Sequence, residues 1–295
     1  MYAQFFGTFL LSHNIVTKDQ LLSALGKKSS QHMKLGTLAI MKGYMTANEV
    51  DNVIISQTHN DCRFGDLAVR EGYLTQEQVD ELVKTQYPDF LLLGQTLVNE
   101  GYITNAKLET LIADYESENE LTDLDYSNEK QDDFDRILAN FFHTADVATN
   151  EYNASYMRLL FNDLMRFIGD DFTPLCFTPC KEYPVNYCVS QTIHGDLSAK
   201  VYLDMPETTC ISFASRYMNE ESTEFDEYVQ ASLEDFLNLH NGLYNVNISN
   251  TLGKELTLEA PEVVSDELID LSSSSYLLQV MYPFGIVNFI FELYQ

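Results

Sequence analysis

Four glycines spaced 29 residues apart, Gly7, Gly36, Gly65 and Gly94, constrain the first third of the chain more than any other feature. Asn14, Gly43, Gly72 and Gly101 follow them at seven residues, and Thr17, Thr46, Thr75 and Thr104 come three residues later again. The apolar pairs Leu21/Leu25, Val50/Ile54, Val79/Val83 and Leu108/Ile112 keep the same period. Self-similarity at a fixed period of this length is the mark of a stacked repeat. Each unit predicts a short helix, such as 36–42, stopped by a residue that tolerates the left-handed conformation of a C-cap. A second helix then opens at the threonine. Thr17/Gln20, Thr46/Glu49 and Thr75/Gln78 have capping-box spacing, which Thr104/Lys107 lacks. Apolar residues four and eight positions after the threonine share one helical face, so each unit must bury that face against a neighbour. Residues 1–115 are therefore expected to form an all-α domain of four helical hairpins.

Two of these units carry a resemblance. KLGTLAIMKGYMTANEVDNVIISQ at 34–57 and RFGDLAVREGYLTQEQVDELVKTQ at 63–86, separated by THNDC, resemble the tandem motif of the N-terminal MshEN-type domains of type II secretion and pilus ATPases. Some members of that family bind cyclic di-GMP. By this resemblance the ligand positions are Lys34, Leu35, Gly36, Gln57, Arg63, Phe64, Gly65 and Gln86. An arginine can address guanine acceptors with two hydrogen bonds, and free helix amides suit a phosphate. Lys34 lacks the guanidinium fork, and Phe5 and Leu92 take the basic position in the outer units. The alternative expectation is that the glycines and threonines only shape helices in an interaction module. No G-x-x-x-x-G-K-[ST] is present, so the chain is not itself such an ATPase.

Charge narrows the partners. Lys plus Arg number 17 against 45 Asp plus Glu, a formal charge of −28, which repels nucleic-acid backbones and anionic lipid. DNA or RNA binding is not expected. No run reaches the roughly 20 apolar residues of a membrane span, and MYAQFFGTFLLSHN lacks a signal-peptide pattern. A cytoplasmic protein with reduced thiols is the expectation, because five cysteines make no disulfide framework.

Residues 116–135, ESENELTDLDYSNEKQDDFD, are acidic and poor in apolar side chains, and read as a solvated linker. Beyond them, 136–295 reads as an α+β domain with a largely antiparallel sheet. Its expected elements are a helix over 137–168, strands at 186–194 and 197–204 joined through His194, Gly195 and Asp196, helices at 206–218 and 223–243, and strands near 255–260, 275–282 and 286–294. The motif helix is expected to end near Gly242.

Asp235 and Asn238 lie three apart, hence on one face of that helix, and Pro261 follows Asn238 after 22 residues. Acid, two residues, Asn, 22 residues and Pro resembles the signature of the CheC, CheX and FliY chemotaxis phosphatases. With a single such motif the domain is most similar to CheX. The resemblance implies hydrolysis of the aspartyl phosphate on a response-regulator receiver domain, with Asn238 orienting water and Asp235 contacting the receiver's lysine. The receiver would hold the Mg²⁺, so no cofactor is expected in this chain, and pairing as a homodimer is implied as well. The family acid is normally Glu, and Ala231 stands where the family has Asp or Ser. A non-enzymatic adaptor or scaffold with a degenerate motif is thus the competing expectation.

Cys176, Cys180, Cys188 and His194 lack the close C-x-x-C pairing of structural zinc sites, and no metal is expected. His143 and His240 have no evident orienting acid in the sequence.

Overall fold

The computed structural model describes residues 2–28, 32–60, 62–84, 89–119, 136–141, 151–272 and 274–292. They divide into two compact units, Met1–Ile137 and Leu138–Gln295.

The first unit is helical throughout its described secondary structure. In chain order it contains α1 (Tyr2–Ser12), α2 (Lys18–Lys28), α3 (Leu35–Met41), α4 (Ala47–Gln57), α5 (Phe64–Arg70), α6 (Gln76–Lys84), α7 (Asp89–Asn99) and α8 (Asn105–Glu118). Asn14, Gly43, Gly72 and Gly101 all have positive φ, between 54° and 82°. They turn the chain between the helices of each pair. The threonine boxes form as their spacing requires: Thr46 Oγ1 accepts from Glu49 N at 3.3 Å while Thr46 N donates to Glu49 Oε2 at 2.7 Å. Thr17/Gln20 and Thr75/Gln78 repeat the exchange. Thr104 only receives, from Lys107 N.

Gly36, Gly65 and Gly94 serve close packing. A Cβ on Gly36 would lie 2.8 Å from Val50 Cγ1, on Gly65 3.1 Å from Val79 Cγ1, and on Gly94 2.5 Å from Leu108 Cδ1. In each case the first helix of a pair touches the leading apolar residue of the second. An aromatic cluster of Phe6, Phe90 and Tyr115, with ring centroids 5.1–5.7 Å apart, joins α1, α7 and α8. Helix α8 runs three residues into the segment read as linker, because Tyr115 is buried and Asn119 caps the end through Tyr115 O. The rest of that segment, 120–135, lies outside the described residues.

A helical segment, 136–141, runs across the division between the units at 137/138, and Phe141, in the second unit, packs on Phe161 and Phe177. Helix α9 (Glu151–Asp163) follows and widens into a π-helical turn, Leu164–Ile168, closed by Gly169 at φ 132°. The helix expected over 137–168 is therefore described only at its two ends, with His143 among the residues outside the description.

Among the described residues ten strands come next in the chain or around the remaining helices: β1 (Thr173–Pro174), β2 (Thr178–Pro179), β3 (Glu182–Pro184), β4 (Tyr187–Gly195), β5 (Ala199–Met205), β6 (Leu256–Leu258), β7 (Glu262–Ser265), β8 (Leu268–Asp270), β9 (Ser275–Tyr282) and β10 (Gly285–Glu292). The main sheet has the order β1-β9-β10-β5-β4-β6, with β2 on β9 and β7 on β4, and every pairing is antiparallel. β3 and β8 form a separate ribbon. Six of these strands have two to four residues, too short to show alternation, and all of them except β6 were not expected.

Two helices complete the unit, α10 (Glu207–Met218) and α11 (Glu227–Leu252). α11 passes through Gly242 and ends at Gly253, which takes the left-handed conformation at φ 63°. The expected stop at Gly242 is thus corrected by ten residues. A helical glycine costs only about 1 kcal/mol, and the buried stripe Phe236, His240, Tyr244 and Ile248 continues past it.

Candidate functional site

α11 is capped by Asp226, whose carboxylate accepts from Tyr228 N at 3.1 Å and Val229 N at 3.0 Å. Its apolar stripe from Val229 to Ile248 packs against β4, β6, α9 and α10. That burial fixes the rotation of the helix and leaves Ala231, Asp235 and Asn238 exposed, at successive spacings of four and three. The structure brings Asp235 and Asn238 together on one outward face.

Each of the two is anchored. The Tyr217 hydroxyl on α10 donates to Asp235 Oδ2 at 2.6 Å. The Tyr217 ring is itself wedged edge-on against Phe167 and Phe236, with centroids 6.0 and 5.7 Å away. Burial, then the neighbouring Asp235 carboxylate, pushes the Tyr217 hydroxyl well above its ordinary pKa, so it remains a donor. Among the described residues Asp235 Oδ1 has no hydrogen bond, which leaves one carboxylate oxygen for a cation. Asn238 Oδ1 accepts from Gln191 Nε2 at 2.8 Å.

Gln191 ties the site to the segment before Pro261. The same Nε2 donates to Glu259 O at 2.8 Å, Glu259 N donates to Thr192 O at 3.0 Å, and His194 Nε2 meets Glu259 Oε1 at 2.8 Å. Pro261 then leads into β7, which pairs with β4. The long spacing between Asn238 and Pro261 is accounted for by the end of α11, Gly253 and β6. Gly195 makes this return possible: its φ is 126°, and a Cβ there would sit 2.3 Å from Glu255 O. Gln191 and Tyr217 belong to no motif. Gln191 left one trace, a polar residue in the alternation Tyr187, Val189, Gln191, Ile193, all buried.

Among the described residues no three His, Cys, Asp or Glu converge. Cys188 and Cys210 are buried, and burial followed by the nearby Asp204 pushes both thiols up to about 12. His240, read from sequence without an orienting acid, has one: its Nδ1 lies 2.7 Å from Asp163 Oδ2, both fully enclosed. The partner comes from α9, 77 residues away, a separation that sequence spacing does not reveal.

In the first unit the eight positions expected from sequence to meet a ligand have varied surroundings. Lys34 Nζ donates to Asn99 Oδ1 at 2.5 Å, and Gln57 Nε2 donates to Cys62 O at 2.8 Å across the spacer. Phe64 lies 3.1 Å from the position of a Cβ on Gly36, as Leu35 does for Gly65. Arg63 is exposed at the N-cap of α5 and has no ion pair among the described residues. Gln86 lies outside the described residues. No described helix is long and apolar enough to cross a membrane.

Comparison with known proteins concerns the second unit. Residues 187–285 match the family model described as chemotaxis phosphatase CheX. Solved structures similar to the chain include a CheX from Desulfovibrio desulfuricans, at 12% identity and TM-score 0.42 over 50% of this chain and 100% of that one. A CheX from Vibrio vulnificus gives 13% and 0.42 over 48% and 98%. The CheX–CheY–BeF3–Mg²⁺ complex from Borrelia burgdorferi gives 16% and 0.41 over 48% and 97%. No curated protein matches the chain. From the start of β4 through the Asp235/Asn238 helix to the β9–β10 turn, residues 187–285 constitute a CheX-like domain.

Proposed function

We propose that the CheX-like domain binds the receiver domain of a response regulator and hydrolyses its aspartyl phosphate. The observation that carries this reading is the exposed pair on α11, an amide and a carboxylate side by side, each held by a partner from another element. Asn238 holds a water in line with phosphorus. The water oxygen attacks, the bond from phosphorus to the aspartyl oxygen breaks, and the receiver's carboxylate and inorganic phosphate are released, with the water's proton passing to phosphate or solvent. The free oxygen of Asp235 meets the receiver's lysine across the interface. Positioning and electrostatics supply the catalysis, and the receiver's own Mg²⁺ neutralises the phosphoryl charge.

Binding is tested with receiver domains carrying beryllofluoride and Mg²⁺, where beryllofluoride stands for the phosphoryl group. Preferential binding of the beryllofluoride form is expected, with Asp235→Ala weakening it about 10-fold, the scale of one charge-assisted contact. Equal binding of loaded and empty receivers across a panel of them contradicts the reading.

A second reading, a non-enzymatic adaptor, draws on Tyr217 already engaging Asp235 and on Ala231 in the helix line. It shares the binding result and lacks turnover.

For the first unit we propose a stack of four MshEN-like helical hairpins that takes cyclic di-GMP through Arg63, whose exposure and lack of an ion pair among the described residues support it. Gly36 and Gly65 then serve packing. Calorimetric titration of the full chain is expected to show binding, with Arg63→Ala weakening it about 10-fold or more. Absence of heat at high ligand concentration ends this reading.

A further inference from the structure

We infer that Gln191 is a positioning residue that decides which way the Asn238 amide faces, so that Nδ2 rather than Oδ1 is presented to the docked phosphoryl group. This rests on the phosphatase reading and adds to it an orientation and a second residue.

The two ends of an amide side chain differ only in what they bond, so orientation follows from the partners. Gln191 is 1% exposed on β4 and must satisfy its polar atoms inside the protein. One partner admits a single solution: Glu259 O is a backbone carbonyl, which only accepts, and it lies 2.8 Å from the Gln191 nitrogen. That atom is therefore Nε2. Its second hydrogen points at Asn238, 2.8 Å away, so the atom of Asn238 facing it must be an acceptor, Oδ1.

The far end of Gln191 agrees. Its Oε1 accepts from Asn241 Nδ2 at 2.9 Å, and Asn241 Oδ1 accepts from the Tyr156 hydroxyl at 2.7 Å. Asn241 and Tyr156 are both buried. Four side chains from β4, α9 and α11 thus form one line of donors to acceptors, ending at the surface in Asn238. Turning Asn238 over would set two NH₂ groups against each other. Its Nδ2, with no partner among the described residues, faces outward as a donor. An NH₂ group suits phosphoryl oxygens or the lone pair of a water, both electron-rich.

The experiment is saturation kinetics of receiver dephosphorylation by the full chain carrying Gln191→Met or Gln191→Glu. Neither replacement offers the same donors at that place, and Met fills it with an apolar side chain of similar length. Expected is a fall in kcat of about 10-fold or more with KM for the phosphorylated receiver within about twofold, since the docking face is untouched. Side-chain amide exchange followed by NMR supplies a readout independent of turnover: the Gln191 Nε2 hydrogens should exchange slowly and those of Asn238 Nδ2 rapidly. Thermal unfolding checks each variant, and where one fails to fold the other variant and the wild-type exchange data decide. Unchanged kcat in a folded Gln191→Met protein, or fast exchange at Gln191, overturns the inference. If Asn238→Ala is inactive in that same case, the phosphatase reading survives alone; a wild-type chain without turnover removes that reading, while the exchange data still judge the orientation.

Discussion

Phe236→Ala is expected to destabilise the second unit by about 3–5 kcal/mol, the cost of emptying a fully enclosed phenyl site. Phe236 is 1% exposed on α11, and its ring meets Phe213 edge-on at 5.0 Å and Tyr217 at 5.7 Å. Domains of this size have roughly 5–15 kcal/mol in total, so the loss is a large share. A drop in unfolding temperature of roughly 6–20 °C should accompany it. The effect should reach the site as well. Phe236 supports the ring of Tyr217, which holds Asp235, so receiver binding should weaken in the variant below its melting temperature. Urea titration monitored through hydrogen exchange of α11 amides checks the energy; a change below about 1 kcal/mol would mean that α11 is not packed as described.

The helices of the first unit were legible because each boundary has a local chemical cause. Left-handed turns need Gly or Asn, and the boxes need Thr with Gln or Glu three residues on; Asn14, Gly43, Gly72, Gly101 and Thr46 occupy such places. What the second set of glycines does was not legible. Gly36, Gly65 and Gly94 meet side chains 14 residues further on, a contact between helices that local rules do not contain.

In the second unit the hairpin of β4 and β5 and the long helices showed in periodicity. Gly242 misled, because the rule that glycine ends a helix is local while the buried residues Tyr244 and Ile248 lie beyond it. The site was legible only in its outward residues. Asp235 and Asn238 could be placed on one face from their spacing alone. Their supports, Tyr217 and Gln191, are 18 and 47 residues away, and nothing in linear order joins them.

Asn238→Ala carries the largest expected functional effect. Its side chain is exposed but accepts from the buried Gln191 amide, so truncation should cost about 1–3 kcal/mol, which leaves the domain folded. On the proposed mechanism this removes the amide that would hold the attacking water, and positioned groups of this kind are worth about 10²–10⁴ in rate. Receiver binding should persist, since Asp235 and the remainder of the helix face are intact. Decay of a phosphorylated receiver, followed as the concentration of the intact protein rises, compares the two chains directly. The wild-type chain should accelerate decay saturably, and Asn238→Ala should leave it within a few per cent of the receiver's spontaneous rate. Equal acceleration by both chains, or none by either across a panel of receivers, would contradict hydrolysis at the α11 face.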